Sequence, residues 1–127
     1  MRPIKQTLFF EKDGVGNCFE ACVASILEIS ITDVPMFHEA NWFQELWDWL
    51  TSIGYTYQGT LNSNFIPSYK IGVDGYFIVA GDSPRGPLIK GGHAVVYKDG
   101  VMVHDPHPDN TGITSIRYGM AIERLEA

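Results

Sequence analysis

Cysteine, positive charge and long apolar runs are all scarce in this chain of 127 residues. Nine Lys and Arg stand against fifteen Asp and Glu, for a formal charge of −6. The few basic residues are scattered, whereas nucleic-acid binding calls for a basic stripe that releases counterions, so no nucleic-acid partner is expected. No stretch approaches the roughly 18 apolar residues of a membrane span, and Met1 to Phe10 lacks the apolar run of a signal peptide. The expectation is a protein without a membrane partner that stays in a reducing cytoplasm. The two cysteines, Cys18 and Cys22, lie four apart in one predicted helix. A disulfide there would be strained, so both read as free thiols. No repeat, low-complexity tract or linker divides the chain, and 1–127 reads as one domain.

What is present is enough apolar material for a core, with 45% hydrophobic and 13% aromatic residues. Neither disulfides nor a structural metal are needed at this size. Phe19, Cys22, Val23, Ile26 and Leu27 recur at helical spacing, which predicts a helix from Cys18 to Glu28 with Glu20, Ala24 and Glu28 opposite. It follows an Asp13-Gly14-Val15-Gly16 turn. A second helix is predicted from Asn41 to Ile53, with Asn41 and Gln44 as a capping box and Gly54 as the stop. Its buried face would be Trp42, Phe43, Leu46, Trp47, Leu50 and Ile53.

After Gly54 the pattern turns to strands. Tyr55–Gln58, Tyr76–Ala80, His93–Tyr97, Val101–Asp105 and Met120–Leu125 are the expected ones. Helices first and a meander of strands later predict an α+β domain, its antiparallel sheet packed on the first helix.

Cys18 would open that helix, where unpaired amides and the helix dipole favour a thiolate. Gly14 and Gly16 before it would leave an open approach. Cys22 falls in the apolar stripe and reads as packing; an isolated cysteine is often no more than that, and Cys18 is weighed against the same reading. The hairpin brings in the other two groups. A three-residue loop, Lys98-Asp99-Gly100, would pair Tyr97 with Val101, Val95 with Val103 and His93 with Asp105. That register gathers the apolar residues and makes His93 and Asp105 neighbours. A two-residue Asp-Gly loop would put them on opposite faces. A His beside an Asp is often only a satisfied pair. A thiol, a base and a group that orients the base nevertheless make a catalytic constellation.

The stretch Asn17-Cys18-Phe19-Glu20-Ala21-Cys22-Val23-Ala24-Ser25-Ile26-Leu27 resembles the nucleophile helix of the C39 peptidases and their C39-like relatives. His93-Ala94-Val95-Val96 and Val101-Met102-Val103-His104-Asp105-Pro106 resemble that family's histidine and aspartate-proline strands. Together these blocks cover about a third of the chain, in the family's order. The resemblance implies a papain-like fold, a Cys18-His93-Asp105 triad and a peptide or protein substrate, with no cofactor. Two departures stand out. Phe19 follows the nucleophile where the family usually has Gly. Lys12 stands where the oxyanion-hole glutamine is usual, and the resemblance transfers that role to Gln6, the only upstream glutamine, if the Asp13–Gly16 turn is an insertion. No transporter domain like that of leader peptidases is read in these residues, so a free-standing bacterial or phage hydrolase is expected as readily as a leader peptidase. Peptidase is the first reading, with amidase, deconjugating or transferase activity next. A papain-fold binding module without turnover is the alternative from another class. The oligomeric state is left open.

Three other features weigh less. His104, Asp105, His107 and Asp109 lie close in sequence, but His104 should face away from Asp105 and the two prolines stiffen the loop. Solvent-facing loop residues are therefore expected there, and no metal. Trp42 and Trp47 fit the core face, which leaves Trp49 as the surface candidate for a substrate groove. Ser83-Pro84-Arg85-Gly86-Pro87 reads as a connector before the histidine strand.

Overall fold

The computed structural model describes residues 1–13, 15–37, 40–60, 72–85 and 92–125. Among the described residues three α-helices precede the sheet: α1 (Phe10–Asp13), α2 (Cys18–Leu27) and α3 (Trp42–Ser52). The strands are β1 (Tyr55–Thr60), β2 (Tyr76–Asp82), β3 (His93–Lys98), β4 (Val101–His104) and β5 (Ser115–Arg124). They form one antiparallel sheet in the order β1-β5-β2-β3-β4. The domain is thus α+β, with α2 packed on β2 and β3 and α3 on β1. Among the described residues no helix is long and apolar enough to cross a membrane.

The expected meander holds only for β2-β3-β4. The last strand enters between β1 and β2, which gives the first strand a partner and makes β5 an interior strand beside the central β2. Ile78, Ala80, Ala94, Val96, Met120 and Ile122 meet Cys22, Val23, Ala24 and Ile26 of α2 in the main core. The alternate residues Phe77, Val79, Val95 and Ala121 are buried as well. A strand buried on both faces reads as a continuous apolar run, which is what Tyr76–Ala80 looks like.

Two sequence expectations for α2 need correction. Glu20 and Ala24 do not face solvent; both are buried. The side of α2 away from the sheet is covered by chain on either end. The Glu20 carboxylate accepts a hydrogen bond from the Phe37 amide at 3.0 Å. Ser25 ties down residues 2–4, its carbonyl accepting from the Arg2 amide and its hydroxyl from the Ile4 amide, both at 3.0 Å. Only Glu28, at the left-handed C-cap, stays exposed.

In α3 the capping box does not form. Asn41 makes no side-chain cap, and Gln44 instead donates to Asp48 one turn on, at 2.9 Å. Leu46 and Leu50 are buried, but Phe43, Trp47 and Ile53 are 43–45% exposed. Trp49 turns inward, tilted against Phe37 at 5.9 Å. The helix is thus rotated towards Trp49. Trp47 lies on the outside against Tyr57 at 5.5 Å, and the surface tryptophan is Trp47. Gly14 of the expected Asp13–Gly16 turn lies outside the described residues, as do Gly86 and Pro87 of the connector before β3.

The hairpin also differs from expectation. Lys98 pairs with Val101, so the loop is the two residues Asp99 and Gly100. Both have positive φ, 54° and 80°. That is the geometry of a type I′ turn, whose twist matches that of the flanking strands and for which Asp-Gly is well suited. Tyr97 then pairs with Met102, but Val96 pairs with His104, so Val103 is an extra residue in β4. This β-bulge shifts the register by one and restores the face that the shorter loop would have changed.

Candidate active site

Cys18 is the first residue of α2 and half-buried. Asn17 before it has non-helical φ and ψ but provides no side-chain cap. Its Oδ1 accepts the amides of Thr7 and Leu8 at 3.0 and 2.9 Å, and its Nδ2 donates to the Thr7 hydroxyl at 2.9 Å. The first-turn N–H groups around Cys18 are therefore left without the side-chain cap that an Asn at this position usually supplies. Cys22, one turn on, is fully buried. Desolvation, followed by the charges of Cys18, Asp105 and Glu20, pushes its thiol well above the ordinary range. It is a neutral packing group.

His93 opens β3, and only 3% of it is exposed. The backbone places it through Gly92, whose φ is 74°; a Cβ there would lie 1.9 Å from the carbonyl oxygen of Gly81, the residue paired with His93. Only glycine permits that approach. The His93 Nε2 lies 2.6 Å from Asp105 Oδ1. Burial opposes a charge on the imidazole, but the hydrogen bond to Asp105 and the interaction with the Cys18 sulfur, reinforced by the negative charge of both, push its pKa up to about 9.

Asp105 follows β4 directly, and its side chain is fully buried. Burial disfavours its charge, yet the pKa is lowered, because the carboxylate accepts from three donors. They are His93 Nε2 and the His107 amide on Oδ1, at 2.6 and 2.9 Å, and the Gly112 amide on Oδ2, at 2.7 Å. A raised imidazole and a lowered carboxyl in contact describe an imidazolium–carboxylate pair. The residues Cys18, His93 and Asp105 are brought together in that order.

Gln6 lies beside Gly16, its Nε2 3.9 Å from where a Cβ on that glycine would be. The residue is 9% exposed. Nε2 donates to the Leu8 carbonyl at 2.9 Å, and Oε1 is buried without a partner. The side chain therefore sits next to the turn that precedes Cys18, with one N–H held by the backbone.

Several residues of this region are not marked by any sequence motif. The His107 ring lies edge-on to His93 at 6.2 Å and to Phe9 at 5.3 Å. Tyr118 of β5 packs against the core near α2. Desolvation, then the charges of Cys18, Cys22 and Glu20, pushes its phenol up to about 12, so it remains a neutral hydroxyl. Asn17 would have been read as an ordinary N-cap. His104 is buried rather than solvent-facing, its Nε2 2.7 Å from the Ile4 carbonyl oxygen. Asp109 is held by Arg85 at 2.9 Å and lies 3.1 Å from His107 Nδ1. Among the described residues no three His, Cys, Asp or Glu side chains are grouped to hold a metal ion.

The arrangement can stabilise a thiolate next to an imidazolium, attack an electrophilic carbon and return a proton to a leaving group. In comparisons with known proteins, no family model, curated protein or solved structure matches the chain.

Proposed function

We propose that this protein is a papain-like, C39-like cysteine hydrolase, most simply a peptidase acting on a peptide or isopeptide bond. The observation that carries the reading is the position of His93, hydrogen-bonded to Asp105 at 2.6 Å and close enough to Cys18 for the sulfur to raise its pKa. An imidazole so held keeps its proton at neutral pH and pairs with a thiolate.

The steps follow from that geometry. The Cys18 thiolate attacks the carbonyl carbon, and the carbonyl electrons move onto oxygen. The Cys18 amide at the uncapped helix start faces this oxyanion, and the second N–H of Gln6 Nε2 can join it. As the tetrahedral intermediate collapses, His93 donates its proton to the departing nitrogen, leaving an acyl thioester on Cys18. His93 then takes a proton from water as it attacks the thioester; the C–S bond breaks with its electrons on sulfur, the carboxylic acid leaves, and the thiolate is restored beside protonated His93. Asp105 holds the imidazole and balances its charge throughout. A reducing cytoplasm, in which Cys18 and Cys22 remain thiols, is the compartment proposed.

The test combines labelling and turnover. Iodoacetamide should modify Cys18 much faster than the buried Cys22, and His93→Ala should slow the reaction at Cys18. A panel of peptide, ubiquitin-like and simple amide substrates should then show cleavage that Cys18→Ala abolishes. Equal labelling of both thiols, independent of His93, would remove Cys18 from the catalytic role. Fast His93-dependent labelling without turnover of any substrate would favour a binding module on the same fold.

A further inference from the structure

The carboxylate of Asp105 is held by backbone amides, so its aim depends on what holds that backbone. Residues 105–112 run Asp-Pro-His-Pro-Asp-Asn-Thr-Gly. The Pro106–His107 peptide group donates its N–H to Asp105 Oδ1 at 2.9 Å and accepts the Gln6 amide on its carbonyl at 3.0 Å. Aligned donors and acceptors of this kind polarise one another. On either side of that group, the Asp105 and His107 carbonyls precede Pro106 and Pro108, which have no N–H and a fixed φ. Both carbonyl oxygens accept hydrogen bonds from the Lys5 ammonium, at 2.8 and 3.1 Å. Its third acceptor is Asn110 Oδ1 at 2.7 Å. One ammonium thus satisfies three acceptors spread over the turn.

The same N-terminal segment grips the nucleophile helix. Thr7 and Leu8 donate to Asn17, and the Asn17 amide donates back to the Leu8 carbonyl at 3.3 Å. Residues 5–8 therefore form a strap from the acid loop to the residue before Cys18, with Gln6 at its middle.

Resting on the cysteine-hydrolase reading, we infer that Lys5 is a positioning residue of the site, fixing the Asp105 turn so that its carboxylate stays in line with His93. Lys5 touches neither the reacting atoms nor His93. The titratable groups that face His93 are Cys18 from α2, Asp105 after β4 and the His107 ring beyond it. Lys5 acts on the imidazole only through the placement of Asp105 and His107.

The test reads the imidazole directly and needs no substrate. The His93 midpoint is measured by NMR titration of protein labelled with 15N-histidine, assigned by loss of the signal in His93→Ala. Lys5→Met keeps the aliphatic stem and removes all three hydrogen bonds. It should lower the His93 midpoint by about one pH unit, because a weakened Asp105 contact no longer holds the proton. Lys5→Arg, which can still donate to carbonyls, should stay closer to wild type. Asn110→Gly removes one acceptor while suiting the positive φ of 57° at that position. It should shift the midpoint the same way by less. Lys5 is exposed, and urea midpoints check that each variant folds. An unchanged midpoint in folded Lys5→Met would overturn the inference. Cys18→Ser separates the two claims: a midpoint it does not alter speaks against the thiolate–imidazolium pair, whereas the Lys5→Met comparison still decides the role of Lys5.

Discussion

His93 and Asp105 meet diagonally across the β3–β4 hairpin, joined by a 2.6 Å contact that depends on Val103 being bulged out of the strand pairing. The Asp99–Gly100 turn pairs Lys98 with Val101, a register in which His93 and Asp105 would sit on opposite faces. With Val103 bulged, Val96 faces His104, and continuing that register places Asp105 one pleat from the residue opposite His93. Diagonal neighbours are within reach of long side chains.

Deleting Val103 should therefore leave the pair together. The deletion turns bulged β4 into a regular strand in which Met102 still faces Tyr97 and His104 still faces Val96, so Asp105 keeps its face. The residue is 43% exposed on an edge strand, so little core is lost. His93-dependent alkylation of Cys18 should stay within a few-fold of wild type in a variant that folds by circular dichroism. A fall of about tenfold or more, as expected for loss of a positioned base, would show that the register of this hairpin is not what holds the pair.

Asp105 offers a sharper chemical test. In a serine triad the base begins neutral, and replacing its aspartate by asparagine can cost about 10⁴ in rate by favouring the wrong tautomer. The His93 imidazole, with a pKa of about 9, already carries both protons at neutral pH and needs only an acceptor. An asparagine carbonyl at the Oδ1 position supplies one and can still accept from the His107 amide, at the cost of the Gly112 hydrogen bond. Asp105→Asn should keep substantial kcat/KM, and Asp105→Ala should lose considerably more. Equal loss in both variants, once folding is confirmed, would mean that His93 rests neutral.

The same pair predicts how stability varies with pH. His93 is raised from 6.5 to about 9, so protons bind the folded state more tightly. Its contribution is full below about pH 6.5 and is lost as pH rises through 9. Asp105 is lowered from 3.8, so its contribution is present above that pH and is lost as pH falls through its folded value. Urea midpoints should form a plateau between these limits and decline on the alkaline side from pH 6.5 to 9. His93→Gln should flatten the alkaline decline. An equally steep decline in the variant would assign it to other groups.

Much of the molecule could be read from the chain alone because it is local. The α2 boundaries follow from apolar spacing, β2 from a continuous apolar run between glycines, and the hairpin from Asp-Gly between β-branched residues. Cys18, His93 and Asp105 could likewise be singled out by residue type and position.

What local pattern does not carry is parity and partnership. The expected three-residue loop and the observed two-residue loop with a bulge both put His93 and Asp105 on one face, by different registers. A one-residue slip reverses a strand's faces, so only the assembled sheet decides between them. The insertion of β5, the inward turn of Trp49 and the burial of Glu20 depend on elements distant in sequence. So does the strap: Lys5 and Asp105 are 100 residues apart, and no periodicity announces that one ammonium will hold that turn. The sequence by itself determined the two longer helices, where the strands would fall and the chemical groups available, but not the short α1 or the first half of β5; the tertiary structure alone decided which of them meet, because contacts across the fold are set by packing and register rather than by spacing along the chain.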